Sequence, residues 1–286
     1  MRLAELEALL QLTPANRLEP LIELARGILA DPDTDPALRQ QCVNELVTLI
    51  STDVGQPLSR MAAGEVLGAL GDPRLRTPED AGYWSTVEVD GHSIQVGCNL
   101  VTIAEIVSFF ANDGYKKDEH WSEAGKKWRD TRRTFWTDLA NEPDSTPLVI
   151  PNQPAIGVTW YEAQAYAHAH NARLLSLDER LQVMRGDANR PYPWGQPFGQ
   201  GNANTNEATL GKPVAIGLFI ADCTPDGIYD LAGNVAEWTS DEADEEVVIH
   251  PGSWNSPSMS SWAKARALVP AKTRSADLGF RIARDV

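Results

Sequence analysis

Apolar residues recur every three to four positions through the N-terminal part of the chain, as they do on the buried face of an amphipathic helix. The last of these patterns predicts a helix from Pro57 to Leu70, which a Gly-Asp-Pro sequence ends. Breaks containing proline and aspartate separate the earlier helices. The pattern therefore predicts an all-helical segment over residues 1–76. Its apolar positions are Leu3, Leu6, Leu9, Leu10, Leu18, Leu21, Ile22, Ala25, Ile28, Leu29, Val43, Leu46, Val47 and Ile50.

The last helix of this segment resembles part of a HEAT-like repeat. Its sequence, RMAAGEVLGALGDPR, carries small residues at Ala62, Ala63, Gly64 and Gly68, which would let neighbouring helices approach closely. A plain helical bundle that caps the following domain explains the same pattern. A segment of this length also holds fewer helix pairs than a free-standing solenoid needs. Both interpretations stay open.

Beyond Tyr83 the pattern changes, and all nine tryptophans lie in this part. Two helices are predicted, over residues 102–112 and 160–170. Thr102 and Thr159 are candidate N-caps, because each is followed three residues later by a glutamate. The remainder is predicted to form short strands and long loops containing glycine, proline and asparagine. Long loops on a small scaffold are typical of a binding surface. The composition predicts a second, α+β domain over residues 77–286.

The chain carries a formal net charge of -15 over 286 residues. A nucleic-acid partner is therefore not expected, because phosphate binding needs concentrated lysine and arginine. The same charge disfavours an anionic membrane surface. No run of apolar residues approaches the roughly 20 that span a bilayer, so no membrane partner is expected either.

The N-terminus, MRLAELEALLQL, lacks the basic and apolar regions of a secretory signal. Cys42, Cys98 and Cys223 are widely spaced and odd in number, which indicates neither a disulfide framework nor a zinc site. Both features predict buried free thiols in a cytoplasmic protein.

Several segments of the C-terminal part follow one another in the order of a known family. They are IQVGCNLVTIAEIVSFFANDGY, PAIGVTWYEAQAYAHAHNARLLSLDER, PYPWG, GIYDLAGNVAEWTSD, GSWN and LGFRIA. Together they resemble the formylglycine-generating-enzyme (sulfatase-modifying-factor) superfamily. The resemblance implies a C-type-lectin-like fold: a small twisted antiparallel sheet, two helices and much irregular loop.

Large and charged residues in these motifs also have structural interpretations. Trp238 and Trp254 are predicted to be core anchors, since large aromatic side chains dominate burial in domains with little sheet. Arg281 is predicted to form a structural ion pair or to donate to a buried turn, because arginine is rarely buried unpaired.

The aerobic enzymes of this family bind copper through two cysteines that follow a Gly-Ser-aromatic motif by two and by seven residues. Here that motif ends at Trp254, and the matching positions hold Ser256 and Ser261. A serine hydroxyl cannot replace a thiolate as a soft Cu(I) ligand. No cysteine lies beyond Cys223, so no catalytic residue is predicted and no copper is expected.

Other relatives hold non-haem iron through histidines of an added helical domain, but the helical segment here contains no histidine. His168 and His170 stand two apart on a predicted helix and point to different faces. An iron site assembled from His92, His120 and His250 has no spacing to support it, and no iron is expected. The sequence contains no GxSxG turn, so a serine hydrolase is not indicated.

A calcium site has more support from the resemblance, because the family binds calcium in the loop that carries Gly-Asn-Val-x-Glu. The matching residues are Asn234, Val235 and Glu237, whose amide, carbonyl and carboxylate oxygens are donors that calcium prefers. The alternative is a plain turn in which Glu237 bonds to a backbone amide. The first tryptophan of the family motif is Ala236 here.

The same scaffold also serves as the variable protein of diversity-generating retroelements. In those proteins a GSW-type motif opens the variable region and a GFR-type motif closes it, as residues 252–281 do here. The retroelement mechanism mutates AAC codons, and a mutated AAC codon cannot yield methionine, tryptophan or lysine. Met259, Trp262, Lys264 and Lys272 would therefore be fixed positions.

The loop after Gly252 combines small polar residues with an aromatic one, a composition known from antibody paratopes. It predicts ligand binding by Asn255, Ser256, Ser258, Ser260, Ser261, Trp262, Lys264 and Arg266. The alternative is a solvated serine-rich loop with Trp262 in the core. A run of acidic residues at positions 241–246 precedes the loop and could attract a basic partner or calcium.

The sequence therefore predicts a non-catalytic module that binds a protein or other macromolecular ligand. Two alternatives stay open. One is a metal-dependent oxidoreductase of the same superfamily. The other is a component of a bacterial defence or signalling complex, in which the helical segment docks a protease or an ATPase.

Overall fold

A computed structural model describes residues 2–131, 149–186, 188–244 and 246–286. Within these residues the chain forms eight α-helices and eight β-strands. The helices are α1 (Arg2–Leu10), α2 (Pro14–Leu29), α3 (Pro36–Ile50), α4 (Pro57–Leu70), α5 (Ile103–Ala111), α6 (Glu123–Asp130), α7 (Trp160–Ala169) and α8 (Leu177–Arg185). The strands are β1 (Trp84–Val89), β2 (His92–Gly97), β3 (Arg173–Leu174), β4 (Ala236–Ala243), β5 (Glu246–His250), β6 (Ala267–Pro270), β7 (Leu278–Gly279) and β8 (Ile282–Asp285).

The four N-terminal helices begin and end where local sequence signals place them. α2, α3 and α4 each carry a proline in their first turn, where the missing N–H would have no helical partner. The Asp35 side chain caps α3 by accepting the N–H of Ala37. Gly71 follows α4 with a φ of 103°, in the left-handed region that favours glycine. The predicted helix Pro57–Leu70 is confirmed, and the HEAT-like repeat stays a prediction.

The small residues of α4 let the helical segment approach the C-terminal part closely. A Cβ added at Gly64 would lie 2.9 Å from the Cβ of Ala215, and one added at Gly68 would lie 2.3 Å from Oδ1 of Asn152. The close approach predicted for these residues thus occurs against loops of the C-terminal part. The apolar core of the helices continues into Leu210, Val214, Leu218 and Phe219.

Buried polar groups cross the same boundary. The Asn152 amide donates to the Gly64 carbonyl at 2.9 Å and to Asp72 Oδ2 at 2.8 Å. The buried Arg60 guanidinium donates to the Leu218 carbonyl. The helical segment and the C-terminal part therefore share both an apolar core and hydrogen bonds.

The strands form two four-stranded sheets with the orders β1-β2-β8-β3 and β6-β5-β4-β7. All neighbours are antiparallel except β4 and β7, which run parallel. The prediction of one small antiparallel sheet is therefore corrected to two small sheets, one of them mixed. β6 lies at an edge of the second sheet.

The two helices predicted in the C-terminal part are confirmed as α5 and α7. Thr102 and Thr159 each cap their helix in a complete capping box with the glutamate three residues later. The Tyr166 hydroxyl of α7 donates to Glu105 Oε1 of α5 at 2.9 Å, so the two helices are also joined through a buried hydrogen bond.

Two further helices, α6 and α8, were not predicted because they are short and strongly charged. α8 has a local signal, since Ser176 and Glu179 form another capping box. The N-terminus of α6 is capped by Ser122, which accepts the N–H of Gly125.

Candidate functional site

The loop that follows β5 begins in a crowded place. A Cβ added at Gly252 would lie 2.7 Å from the Ala232 carbonyl oxygen, so only glycine fits there. The Trp254 indole N–H donates to the Ala276 carbonyl at 3.0 Å, and the side chain is half-buried. Trp254 is therefore partly a core residue, whereas Trp238 is fully in the core, with its indole N–H bonded to the Val158 carbonyl at 2.9 Å.

The two serines at the family's cysteine positions lie in different surroundings. The Ser256 hydroxyl accepts the Ser253 N–H at 2.8 Å and donates to the Ser253 carbonyl at 3.1 Å. Ser261 is fully buried, and its hydroxyl has no hydrogen-bond partner among the described residues. Of the residues predicted to contact a ligand, Ser261 lies beneath the surface.

The remaining predicted ligand residues lie at the surface to different degrees. Asn255, Lys264 and Arg266 are exposed, and the Trp262 side chain is 46% exposed. The alternative with Trp262 in the core is therefore wrong. Ser256, Ser258 and Ser260 are half-buried, and the last two belong to a single 3₁₀ turn, Ser258–Ser261.

Hydrogen bonds from two other loops hold this turn in place. The Ser258 N–H donates to Glu207 Oε1 at 2.8 Å, and the Ala263 N–H donates to the Pro191 carbonyl at 3.0 Å. The Asn206 N–H donates to the Ser256 carbonyl at 3.0 Å.

Burial tends to raise the pKa of Glu207. The hydrogen bonds from Ser258 and Thr205 outweigh burial and lower this pKa to about 2. Glu207 therefore stays a charged hydrogen-bond acceptor at neutral pH.

Three aromatic side chains lie close to this loop and are not among the predicted ligand residues. Tyr192 and Trp194 stack with ring centroids 5.2 Å apart, and Phe198 meets Trp194 edge to face at 5.5 Å. All three are half-buried, and the Trp194 indole N–H donates to the Pro197 carbonyl at 3.0 Å. The signal that could have found them is the PYPWG motif, which was used above only as a family marker.

The side chains of the predicted calcium loop already have protein partners. Asn234 Oδ1 accepts the Val214 N–H at 2.9 Å, and its Nδ2 donates to the Val214 carbonyl at 3.2 Å. Glu237 Oε1 accepts from Arg180 at 2.7 Å, and Oε2 accepts from Arg281 Nε at 3.2 Å. Glu237 thus bonds to guanidinium groups rather than to the backbone amide of the plain-turn alternative. Calcium at Asn234, Val235 and Glu237 stays a prediction, and an ion there would compete with both arginines.

The Glu237 network lies in the interior. Burial raises the pKa of Glu237, but the charges of Arg180 and Arg281 outweigh it and hold the pKa below its ordinary value. Arg281 also donates to the carbonyls of Gly97 and Tyr229, at 2.8 Å and 2.6 Å. The predicted structural role of Arg281 is confirmed.

Two buried carboxylates, Asp222 and Asp230, lie near this network. Burial, together with the neighbouring charge of Asp230, raises the pKa of Asp222 to about 8. Burial raises the pKa of Asp230 to about 6. Asp222 accepts the N–H groups of Ala232 and Gly233 and so shapes the turn that leads into β4. Its contacts are those of a structural residue.

The histidines considered for iron make separate contacts. His250 is fully buried, with Nε2 at 3.1 Å from the Trp262 carbonyl oxygen. His92 begins β2 at an exposed hairpin, and His168 Nδ1 lies 3.0 Å from the His120 carbonyl oxygen. His170 Nδ1 lies 2.8 Å from Glu79 Oε1. Across the described ranges, no three His, Cys, Asp or Glu side chains form a group that could hold a metal ion.

All three cysteines are free thiols, as predicted, but only Cys42 is buried. Cys98 and Cys223 are half-buried, and burial raises the pKa of each thiol. Among the residues described, no helix is both long and apolar enough to cross a membrane. The cytoplasmic location stays a prediction.

The family model described as sulfatase-modifying factor enzyme 1-like domain matches residues 42–286. The chain belongs to this family. The match begins within α3, so it includes part of the helical segment as well as all of the C-terminal part.

The curated relatives include proteins named as enzymes and one named as inactive. Hercynine oxygenase of Mycolicibacterium thermoresistibile is 32% identical over 168 residues, which cover 53% of this chain and 36% of that protein. Inactive C-alpha-formylglycine-generating enzyme 2 of Bos taurus is 30% identical over 176 residues, 54% of this chain and 58% of the relative. This family member thus matches little more than a third of the first relative and less than two thirds of the second.

A solved structure, PvdO from Pseudomonas aeruginosa, shares the fold. It superposes with a TM-score of 0.53 and 23% sequence identity over 68% of this chain and 81% of that one. The mixed α and β architecture with small sheets is therefore a known arrangement.

Proposed function

We propose that this family member is a non-catalytic binding module. Its C-terminal surface recognises a protein or another macromolecular ligand, and the loop after β5 carries the main contacts. The observation that carries the proposal is that Ser256 and Ser261 supply hydroxyl groups at the two positions where the family's copper enzymes have cysteines. The proposed contact residues are Asn255, Ser256, Ser258, Ser260, Trp262, Lys264 and Arg266, with Ser261 supporting them from below.

The surroundings of the two serines do not fit a soft metal ion. A serine hydroxyl stays protonated at neutral pH unless a base lies beside it, and a neutral hydroxyl is a poor ligand for Cu(I). Ser256 is bonded to the backbone of Ser253, and the Ser261 hydroxyl is enclosed. No oxidation step can be written through these two residues.

Hydrogen bonds fix the conformation of the loop, and this supports its proposed role in ligand recognition. Contacts with Pro191, Asn206 and Glu207 pin the backbone on both sides of Met259 and Trp262. The Met259 and Trp262 side chains nevertheless remain 76% and 46% exposed. A preformed loop loses little conformational entropy when it binds, which favours affinity.

The test compares ligand capture by matched variants on an array of candidate proteins. Trp262→Ala should lose the captured ligand and keep the unfolding temperature of the parent chain, because the indole is exposed. Val107→Ala, in which an exposed apolar side chain of α5 is shortened, is the control and should bind as the parent does. Equal binding by all three chains would contradict the proposal.

The rival function is a metal-dependent oxidoreductase, and the relative named hercynine oxygenase favours it. Purified protein would then carry stoichiometric copper or iron, and a cysteine-containing peptide would be modified in the presence of oxygen. Either result would overturn the non-catalytic proposal.

The retroelement alternative makes a prediction about genes. A near-copy of the segment that encodes residues 252–281 would lie beside a reverse-transcriptase gene. Related chains would then differ mainly within residues 255–278 and would retain Met259, Trp262, Lys264 and Lys272. Variation spread evenly over the domain would exclude it.

The complex-component alternative places a partner on the helical segment. Because that segment shares its core with Leu218 and Phe219, docking is tested in the full chain rather than in residues 1–75. Leu58 of α4, which is 61% exposed, is a suitable probe. Leu58→Glu should release a protease or ATPase partner bound there, whereas retention after Leu58→Glu would place the partner elsewhere.

A further inference from the structure

The chain between Trp262 and Lys272 exposes every second side chain. We call these residues the cationic stripe: Trp262, Lys264, Arg266, Leu268, Pro270 and Lys272 are exposed, and the residues between them are buried or half-buried. The stripe runs along β6, the edge strand of the second sheet, and along the turns at both ends of that strand. It continues directly from the loop that is proposed to bind a ligand.

The three basic residues of the stripe have no carboxylate partner in the part of the chain that the structure describes. Arg274, two residues further on, shows the contrast, because it forms an ion pair with Glu162 at 2.8 Å. Among the described residues that lie opposite β6 in the sheet, Glu246, opposite Pro270, is the one acidic residue. Because the chain carries a net charge of -15, the basic side chains near Trp262 form a local patch of opposite sign.

Apolar side chains are interspersed with these charges. Trp262 and Leu268 are 46% and 51% exposed, and Met259, which precedes the stripe in the 3₁₀ turn, is 76% exposed. Phosphate-rich polymers are bound through charge and gain little from exposed leucine and methionine. An interface that mixes an aromatic anchor, apolar neighbours and arginine is typical of protein recognition.

Strand addition is a poor alternative for this edge. β6 is only four residues long and contains Pro270, which has no N–H to donate. Contact through side chains therefore fits the stripe better than an added strand.

We propose that the cationic stripe docks an acidic protein segment that carries apolar residues. This inference rests on the function proposed above and names the chemistry of its partner. Negative side chains would meet Lys264 and Arg266, while apolar ones would cover Trp262 and Leu268. Complementary charge sets the choice of partner and the rate of encounter.

The test uses the full chain and four probes at one ionic strength. They are a short peptide of aspartate, leucine and phenylalanine, the same peptide with lysine for aspartate, single-stranded DNA, and phosphatidylserine vesicles. The acidic peptide should bind, and Lys264→Glu or Arg266→Glu should weaken it roughly tenfold. Lys117→Glu makes the same charge change at another exposed lysine, one with no ion pair to the described residues, and should have little effect.

Preference for the lysine peptide, or tighter binding of DNA or vesicles, would overturn the acidic-protein assignment. So would an equal loss in Lys117→Glu and Arg266→Glu, since net charge alone would then explain the binding. If Trp262→Ala abolishes binding while Arg266→Glu leaves it unchanged, the surface binds but its partner is not acidic. If no probe binds and Trp262→Ala also leaves array capture unchanged, the proposed function fails as well.

Discussion

The side chain of Asn152 lies directly against Gly68 of α4. A methyl group added at Gly68 would meet Asn152 Oδ1 at 2.3 Å and Ile150 Cγ2 at 2.7 Å. The same Asn152 amide donates to the Gly64 carbonyl at 2.9 Å. The contact joins the helical segment to the C-terminal part and leaves no room for a side chain at position 68.

Gly68→Ala should lower the free energy of unfolding by about 1–3 kcal/mol, because α4 and Asn152 must move apart. Gly27→Ala in α2 is the matched control, since its added Cβ would lie 3.8 Å from the nearest atom outside the local helix backbone, Nη2 of Arg2. There the better helix propensity of alanine should raise stability by about 1 kcal/mol or less. Urea unfolding of both variants checks the difference, and similar effects at the two positions would refute the contact.

Glu237→Gln should lower the free energy of unfolding by about 3–5 kcal/mol, because it leaves Arg180 and Arg281 buried without their common counter-charge. Glu242→Gln, at an exposed position on the same strand, should change stability by no more than about 0.5 kcal/mol.

The same pair of variants tests calcium. If the ion binds this loop, calcium will raise the unfolding temperature of the parent chain and of Glu242→Gln but not that of Glu237→Gln. No calcium effect on the parent chain would remove the predicted site.

Stability should depend on pH through Glu105. Burial raises the pKa of this carboxyl to about 7, from an ordinary value of 4.5. The unfolded chain therefore ionises first as pH rises, and the folded state loses stability between about pH 4.5 and pH 7, by roughly 3 kcal/mol at most. Below this window both states are protonated, and the contribution is fully present.

Glu105→Gln cannot ionise and should remove this part of the pH dependence. The measurement is the free energy of unfolding of both chains from pH 4.5 to pH 8. Relative to the parent chain, the free energy of unfolding of Glu105→Gln should be higher at pH 8 than at pH 4.5. A difference that stays constant across this range would show that Glu105 does not titrate within it.

Glu207→Ala should loosen the 3₁₀ turn without unfolding the domain. The Ser258 N–H loses its acceptor at 2.8 Å, so its amide hydrogen should exchange faster with solvent. Glu7→Ala, at an exposed position of α1, is the control. Unchanged exchange at Ser258 would show that the contacts from Pro191 and Asn206 suffice to hold the loop.

Local signals in the sequence were enough to predict several elements. α4, α5 and α7 were predicted because prolines, capping boxes and the glycine at Gly71 act within a few residues of the helix ends. α6 and α8 were missed because their short sequences are mostly charged and carry little apolar periodicity. Their stability comes from Trp128, Val183 and Met184, which are buried by distant parts of the chain.

The candidate site was only partly accessible to the same reasoning. Motif order and spacing located the loop after Gly252 and the serines at positions 256 and 261. They could not tell that Ser261 lies inside and Trp262 outside, since this depends on bonds to Pro191 and Glu207.

The sequence by itself determined the family, the helices with strong caps and the absence of the two cysteines, because these are properties of residue identity and short-range order. The tertiary structure alone decided that Glu237 bonds to Arg180 and Arg281. It alone joined the helical segment to Asn152 and turned the basic side chains beside Trp262 towards solvent. These features arise from contacts between residues far apart in the chain, and no local pattern of residues encodes such contacts.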